Sequence, residues 1–281
     1  MKKLFWYVLL IVVCWYAAST VQATELKVPA TVPAGQELKI TASGSGTLYL
    51  FGPASAIKRQ VSAGEVTLTG DDLKHAGRYT VVIGEDRTSF FVTAAKPESL
   101  AFIARPSRVP AARPDVISGT VFVFDKNQNL VISPTAVKFD IGVEGTTNSR
   151  TVQSKYGVAW VKMPSSSRAG AAQFTASLAG NEVRRVVQLT ASEPCNISMK
   201  ASPSQNGIMV ETAPIRDCSG NAVPDGTIVT FSSVDSKGKS TVDARIKKGI
   251  ARAELPAANN ALISVASGVV VGNEIRWGGA R

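Results

Sequence analysis

One offset organises this chain. Asp125, Asn129, Val131, Thr135, Val137 and Phe139 recur 92 residues later as Asp217, Asn221, Val223, Thr227, Val229 and Phe231. The same offset carries Gly157-Val158-Ala159 onto Gly249-Ile250-Ala251, Pro164 onto Pro256, and Gly180-Asn181-Glu182-Val183-Arg184 onto Gly272-Asn273-Glu274-Ile275-Arg276. A register held through separated blocks marks a duplicated structural unit, so the chain must fold as tandem modules. The offset changes only near the start of each unit, where Pro106-Ser107 pairs with Pro203-Ser204 at 97. The first copy therefore carries about five extra residues within Arg105 to Pro114. An insertion of that kind is expected in a loop.

Each copy reads as β structure. Thr120 to Phe124 leads into a turn at Asp125 to Asn129, and Thr135, Val137, Phe139 and Ile141 share one face by period-two alternation. In the second copy, Ile208 to Ile215, the turn Asp217 to Asn221, and Val229 with Phe231 repeat the scheme. With 23 Gly and 14 Pro punctuating 281 residues, a helical bundle, a coiled coil, collagen and disorder are excluded. Short strands, close turns and no convincing helix argue an immunoglobulin-type β-sandwich.

The pattern Asp217-x-x-Gly220-Asn221-x-Val223-Pro224-x-Gly226-Thr227-x-Val229-Thr230-Phe231, followed by Gly249-Ile250-Ala251 and Leu255, resembles the bacterial Ig-like domain found in tandem in invasin and intimin adhesins. Residues 193–281 match it closely. Residues 97–192 match with departures, Gln128 replacing the turn glycine and Ile132 the proline. The motif is a signature of fold and says little about activity.

Residues 24–96 hold five or six short strands, among them Val32 to Ile40, Thr47 to Phe51, Glu65 to Leu68, Tyr79 to Ile83 and Thr88 to Val92. Asp72-Leu-Lys-His-Ala-Gly77-Arg-Tyr79 resembles a tyrosine corner, whose hydroxyl bonds back to upstream backbone. The expected architecture is three Ig-like sandwiches, 24–96, 97–192 and 193–281, with boundaries near Ala95 to Glu98 and Ser192 to Pro194.

Met1-Lys2-Lys3, the apolar run Leu4 to Ala18 and Val21-Gln22-Ala23 form a secretory leader over residues 1–23, with a mature start at Thr24. The run is short against the about 20 apolar residues of a spanning helix, so an uncleaved anchor is the alternative, and no later segment is apolar enough to span. Cys14 lies inside the run behind Val13, which is a poor lipid-attachment context. The mature chain then keeps Cys195 and Cys218, which in an exported protein are expected to pair. Antiparallel pairing places the start of one strand beside the end of the next, where these two fall.

Candidate chemistry is sparse. His75 is the sole imidazole, on a polar stretch, and no Gly-x-Ser-x-Gly elbow exists. Asp71-Asp72 and Glu85-Asp86 read as solvated turns and do not face each other across a cleft as glycosidase acids must. Asp125, Asn127 and Asn129 alternate like calcium ligands but lack the glycine and distal glutamate of an EF-hand, so an Asx-type turn is expected. Asn196-Ile-Ser198 matches a glycosylation acceptor that a bacterial chain would not use. No catalytic residue, cofactor or metal is assigned, and the protein is not expected to be an enzyme.

Loss of the leader lowers the formal charge from +10 to +8, of which residues 97–192 hold +5. Arg105, Arg108 and Arg113 in the longer connection, with Arg184 and Arg185, are the candidate basic patch for an anionic envelope polymer. Nucleic acid is not expected, because export removes it and aromatic interleaving is missing. Trp160 and Trp277 are expected in the core or between modules, although with Tyr49 and Tyr156 they are the candidates for a sugar-stacking platform. The chain is expected to be an exported, non-catalytic adhesion, binding or spacer protein, periplasmic or at the cell surface, with protein or anionic polymer as partner. A soluble periplasmic subunit of an envelope complex and a carbohydrate-binding accessory module are the alternatives.

Overall fold

Period-two alternation decides the elements, because each strand buries every second side chain. The computed structural model describes residues 26–278. The leader expected over residues 1–23 lies outside the described residues. All regular structure among them is strand, and no helix among them is long and apolar enough to cross a membrane. The chain divides into two units, residues up to 96 with 125–130, and residues 97–124 with 131 onward.

The first unit contains β1 (Thr31–Pro33), β2 (Leu38–Ala42), β3 (Gly46–Phe51), β4 (Ala56–Val61), β5 (Gly64–Leu68), β6 (Gly77–Ile83) and β7 (Asp86–Thr93). Five form a sheet in the order β1-β7-β6-β3-β4, and β2 pairs with β5 in the second layer. Between the layers lie Ile40, Leu48, Leu50, Leu68, Tyr79, Val81 and Phe90. The segment Val32 to Ile40 is two strands, broken by a turn at Gly35, whose φ of 74° favours glycine. The Tyr79 ring is buried at the expected corner, and a Cβ on Gly52 would collide with it. Its hydroxyl, near the His75 backbone, forms no hydrogen bond of good geometry, which corrects the expected corner bond. Burial pushes its pKa up.

The second unit opens with β8 (Ser99–Arg105), β9 (Arg108–Pro110), β10 (Ile117–Phe124), β11 (Ala136–Val143), β12 (Thr146–Gln153), β13 (Val158–Met163), β14 (Gly170–Leu178) and β15 (Asn181–Thr190). Their sheets run β13-β10-β8 and β12-β11-β14-β15-β9. Phe102, Phe139 and Phe174 meet between them with ring centroids 5.0 to 6.1 Å apart. The five-residue insertion contains more than a loop: β9 falls within the longer connection and pairs in parallel with β15, Val109 opposite Leu189. β1 makes the same parallel pairing with β7 in the first unit.

The last repeat contributes β16 (Pro194–Cys195), β17 (Met199–Pro203), β18 (Gly207–Thr212), β19 (Arg216–Asp217), β20 (Ile228–Asp235), β21 (Gly238–Arg245), β22 (Arg252–Pro256), β23 (Ala261–Ser267) and β24 (Val270–Trp277). Two sheets, β17-β18-β22 and β21-β20-β23-β24, enclose a core around Val210, Phe231, Ile246 and Ile263. β16 pairs with β19, and Cys195 and Cys218 are bridged there, their Cα atoms 5.0 Å apart. The described fold is all-β and Ig-like.

Candidate functional site

The most repeated polar feature is the loop after β10 and its copy after β19. Asp125 is fully buried, and its Oδ1 accepts from the N–H groups of Asn127 and Asn129, both at 2.8 Å, forming an Asx turn. Its Oδ2 accepts from Ala95 N at 2.8 Å and from the Asn129 amide at 2.9 Å. Asp217 repeats this with Ser219 and Asn221 N–H groups on Oδ1 and Ser192 N on Oδ2, each at 2.9 Å. Burial opposes ionisation of both carboxyls, but the Asn side-chain and backbone N–H bonds outweigh it and hold both below the usual carboxylate range. These oxygens are occupied by N–H donors, which gives Asp125, Asn127 and Asn129 a structural role. Among the described residues no cluster of three or more His, Cys, Asp or Glu is placed to hold a metal ion.

Asn221 extends this network across the second unit. Its Oδ1 accepts from Ala169 N at 2.8 Å, while Nδ2 donates to the Ser167 carbonyl at 2.7 Å. Thus the last repeat is fastened to the middle one at two places, Ser192 through Asp217 and Ser167 to Ala169 through Asn221. In the first unit Asn129 makes the matching pair of bonds, accepting from Ala76 N and donating to the Lys74 carbonyl, which neighbour the half-buried His75. The 92-residue spacing of Asp and Asn therefore records a buried hydrogen-bond network. Sequence reading registered these residues only as turn formers.

The five candidate arginines do not gather into one patch, although two of them share a cleft. Arg108 and Arg113 line one open cleft of about 660 Å³, shared with Glu193, Pro224, Ile228 and Val269. Arg105 ends β8 on the outward row of the three-stranded sheet, opposite Ser118. Arg184 and Arg185 are consecutive on β15, so their side chains leave on opposite faces, and Arg184 is paired with Glu182 at 2.8 Å. Glu193 in the cleft also offsets part of the charge there.

Trp160 overturns its expected core placement: it stands on β13, 56% exposed, in an outward row with Thr120 and Ile103. Lys162 lies 5.8 Å over its ring. Tyr156 is exposed in the turn before β13, and Trp277 packs against the last core. Tyr49 is exposed on β3 next to Phe51, and Phe91 is exposed two strands away on β7; sequence reading passed over both phenylalanine rings. In Thr47 to Phe51 and Thr88 to Val92 apolar residues fall on both faces, so alternation alone does not tell which rings face water.

Solved structures share this fold. The structure of FdeC, described as a novel, broadly conserved Escherichia coli adhesin eliciting protection against urinary tract infections, matches with a TM-score of 0.56 and 15% identity, over 90% of this chain and 98% of that one. Yersinia pseudotuberculosis InvD matches with a TM-score of 0.52 and 12% identity, over 92% and 98% of the two chains. At such identities the likeness speaks to fold alone, and the fold is the one described above, Ig-like β-sandwiches. No protein-family model and no curated protein matches the sequence.

Proposed function

We propose that this chain is an exported, non-catalytic protein of three Ig-like modules, 24–96, 97–192 and 193–281, acting in adhesion, binding or spacing at a bacterial cell envelope. The observation that carries this reading is where the exposed rings of the first unit lie: Tyr49, Phe51 and Phe91 stand on an open sheet face rather than inside a cleft. A flat sheet offers contact area for an extended partner, whereas bond-making chemistry needs groups converging on one atom. The fold shared with FdeC, described as an adhesin, supports the same reading.

Export supplies the compartment, and the bridged Cys195 and Cys218 suit an oxidising one. The Asp217 and Asn221 bonds support a spacing role, since they restrain the last repeat against the middle one. Cell fractionation with in vivo cross-linking tests the proposal. The expected result is a chain beginning at Thr24, in the periplasm or on the surface, cross-linked to an envelope component. A cytoplasmic chain that keeps Met1 contradicts it.

A further inference from the structure

The first unit is close to neutral, at +1 over residues 24–96, yet its charge is sorted by face. On the five-stranded sheet, Tyr49 stands opposite Lys58 and Val82, Phe51 opposite Ala56 and Thr80, and Phe91 opposite Arg78. Strand alternation puts all of these on the outer face, together with Arg87 and Ser89, while Leu48, Leu50, Phe90 and Val92 fill the core beneath. Phe91 is 54%, Phe51 48% and Tyr49 37% exposed. The Tyr49 and Phe51 rings lie parallel, 4° apart with centroids at 6.3 Å, and Lys58 Nζ sits 5.7 Å over Tyr49.

No Asp or Glu occupies an outward strand position of this face, and among the described residues Lys58, Arg78 and Arg87 make no ion pair. Three of the unit's acids are engaged elsewhere, Glu65 with Lys39 on the other sheet, Asp72 with Arg59 and Asp86 with Ser43, and Glu37, Asp71 and Glu85 lie outside the strands of this face. The corresponding sheets of the two repeats differ. There the outward positions carry no aromatic ring and mix charges, with Lys138 against Asp140 and Arg184 against Glu182 in one, and Asp243, Arg245, Glu274 and Arg276 in the other. The same architecture thus needs neither the exposed rings nor the single-sign charge, and an exposed apolar patch with an unpaired cationic rim marks a binding surface.

We propose that this face binds an acidic polysaccharide, a chain of uronic-acid-bearing sugars. This deepens the adhesion reading and rests on it. The apolar faces of the sugar rings lie on Phe51, Phe91 and Tyr49, the carboxylates meet Lys58, Arg78 and Arg87, and sugar hydroxyls donate to the remaining lone pairs of Thr80 and Ser89, whose hydroxyls bond each other at 3.0 Å. An anionic membrane fits less well. Insertion of the rings into lipid would strip water from Lys58, Arg78 and Arg87, which share the face and make no ion pair among the described residues, and an unpaired charge is costly to bury.

Calorimetric titration of the mature chain with polygalacturonate tests this, with uncharged dextran, dextran sulfate and anionic phospholipid vesicles as the other arms. Polygalacturonate is expected to bind and dextran not to bind. Phe51→Ala or Phe91→Ala should weaken binding about tenfold, and the pair Arg78→Gln with Arg87→Gln should weaken it and flatten its salt dependence. Trp160→Ala should leave it unchanged. Thermal unfolding of each variant shows that the module is still folded. No binding to polygalacturonate, equal binding by the Phe51→Ala/Phe91→Ala double variant, or a loss confined to the vesicle arm overturns the proposal. Adhesion of beads coated with the chain to whole cells is read separately, so failure of the polysaccharide site and failure of the adhesion reading are distinguishable.

Discussion

Asn221 donates to Asp217 at 2.8 Å, and 92 residues earlier Asn129 donates to Asp125 at 2.9 Å. Each Asn thereby fixes the orientation of a carboxylate that is already holding two N–H groups of its own loop. In the last repeat the same Asn amide reaches the Ser167 carbonyl, so loop geometry and module contact are one network. Asn221→Ala removes these bonds and leaves the half-buried Ala169 N–H without its acceptor, while Asp217 keeps the Ser192 N–H. A loss of about 1–3 kcal/mol is expected in urea unfolding, with faster hydrogen exchange at the Ala169 amide. Unchanged protection at Ala169 would show that the contact is made by other groups.

The two carboxyls make stability depend on acid. Their native pKa values lie below the ordinary value of about 3.9, so the unfolded chain binds more protons as pH falls and stability falls with it. The contribution is complete above about pH 4 and disappears as pH drops through the native values. Urea unfolding between pH 7 and 3 should show this decline, with a shallower slope in Asp217→Asn. A parallel slope in that variant would count against the assignment.

The bridge between Cys195 and Cys218 closes a loop with a sequence separation of 23. Reduction should lower the stability of the last repeat by about 3 kcal/mol in the chain-entropy view. Alkylation of the mature chain should add mass only after reduction. Mass added without reductant means that the thiols are free.

Trp160 and Phe174 separate surface from core. Trp160→Arg places at β13 the residue type that the repeat carries at Arg252, where it pairs with Glu211 at 2.7 Å. A change within about 0.5 kcal/mol is expected there, whereas Phe174→Ala, fully buried among Phe102 and Phe139, should cost about 3–5 kcal/mol. Chemical denaturation of both variants decides the matter, and a large loss at Trp160 would mean that the ring is structural.

Legibility in the sequence followed the physics of alternation. Val137, Phe139 and Ile141 read as one buried face and are buried. β4 escaped notice because Ala56 to Val61 is half charged or polar and only Ile57 and Val61 touch the core. β9 was hidden in an Arg- and Pro-rich insertion, since a three-residue strand paired in parallel with a distant partner leaves no local period. The aromatic face depends on cross-strand register: Phe90 points inward and Phe91 outward, and neighbouring apolar residues do not announce which. The Asp and Asn of the repeat were visible, but the partners they hold, Ser192 and Ser167, lie outside any motif.

Adhesion of living cells tests the central claim most directly. A strain lacking this chain should adhere less to a surface coated with acidic polysaccharide. The wild-type chain or its Trp160→Arg variant should restore adhesion, and a chain with Tyr49, Phe51 and Phe91 replaced by alanine should not. Equal adhesion by the parent and the strain lacking the chain, on that surface and on whole cells alike, would contradict the account.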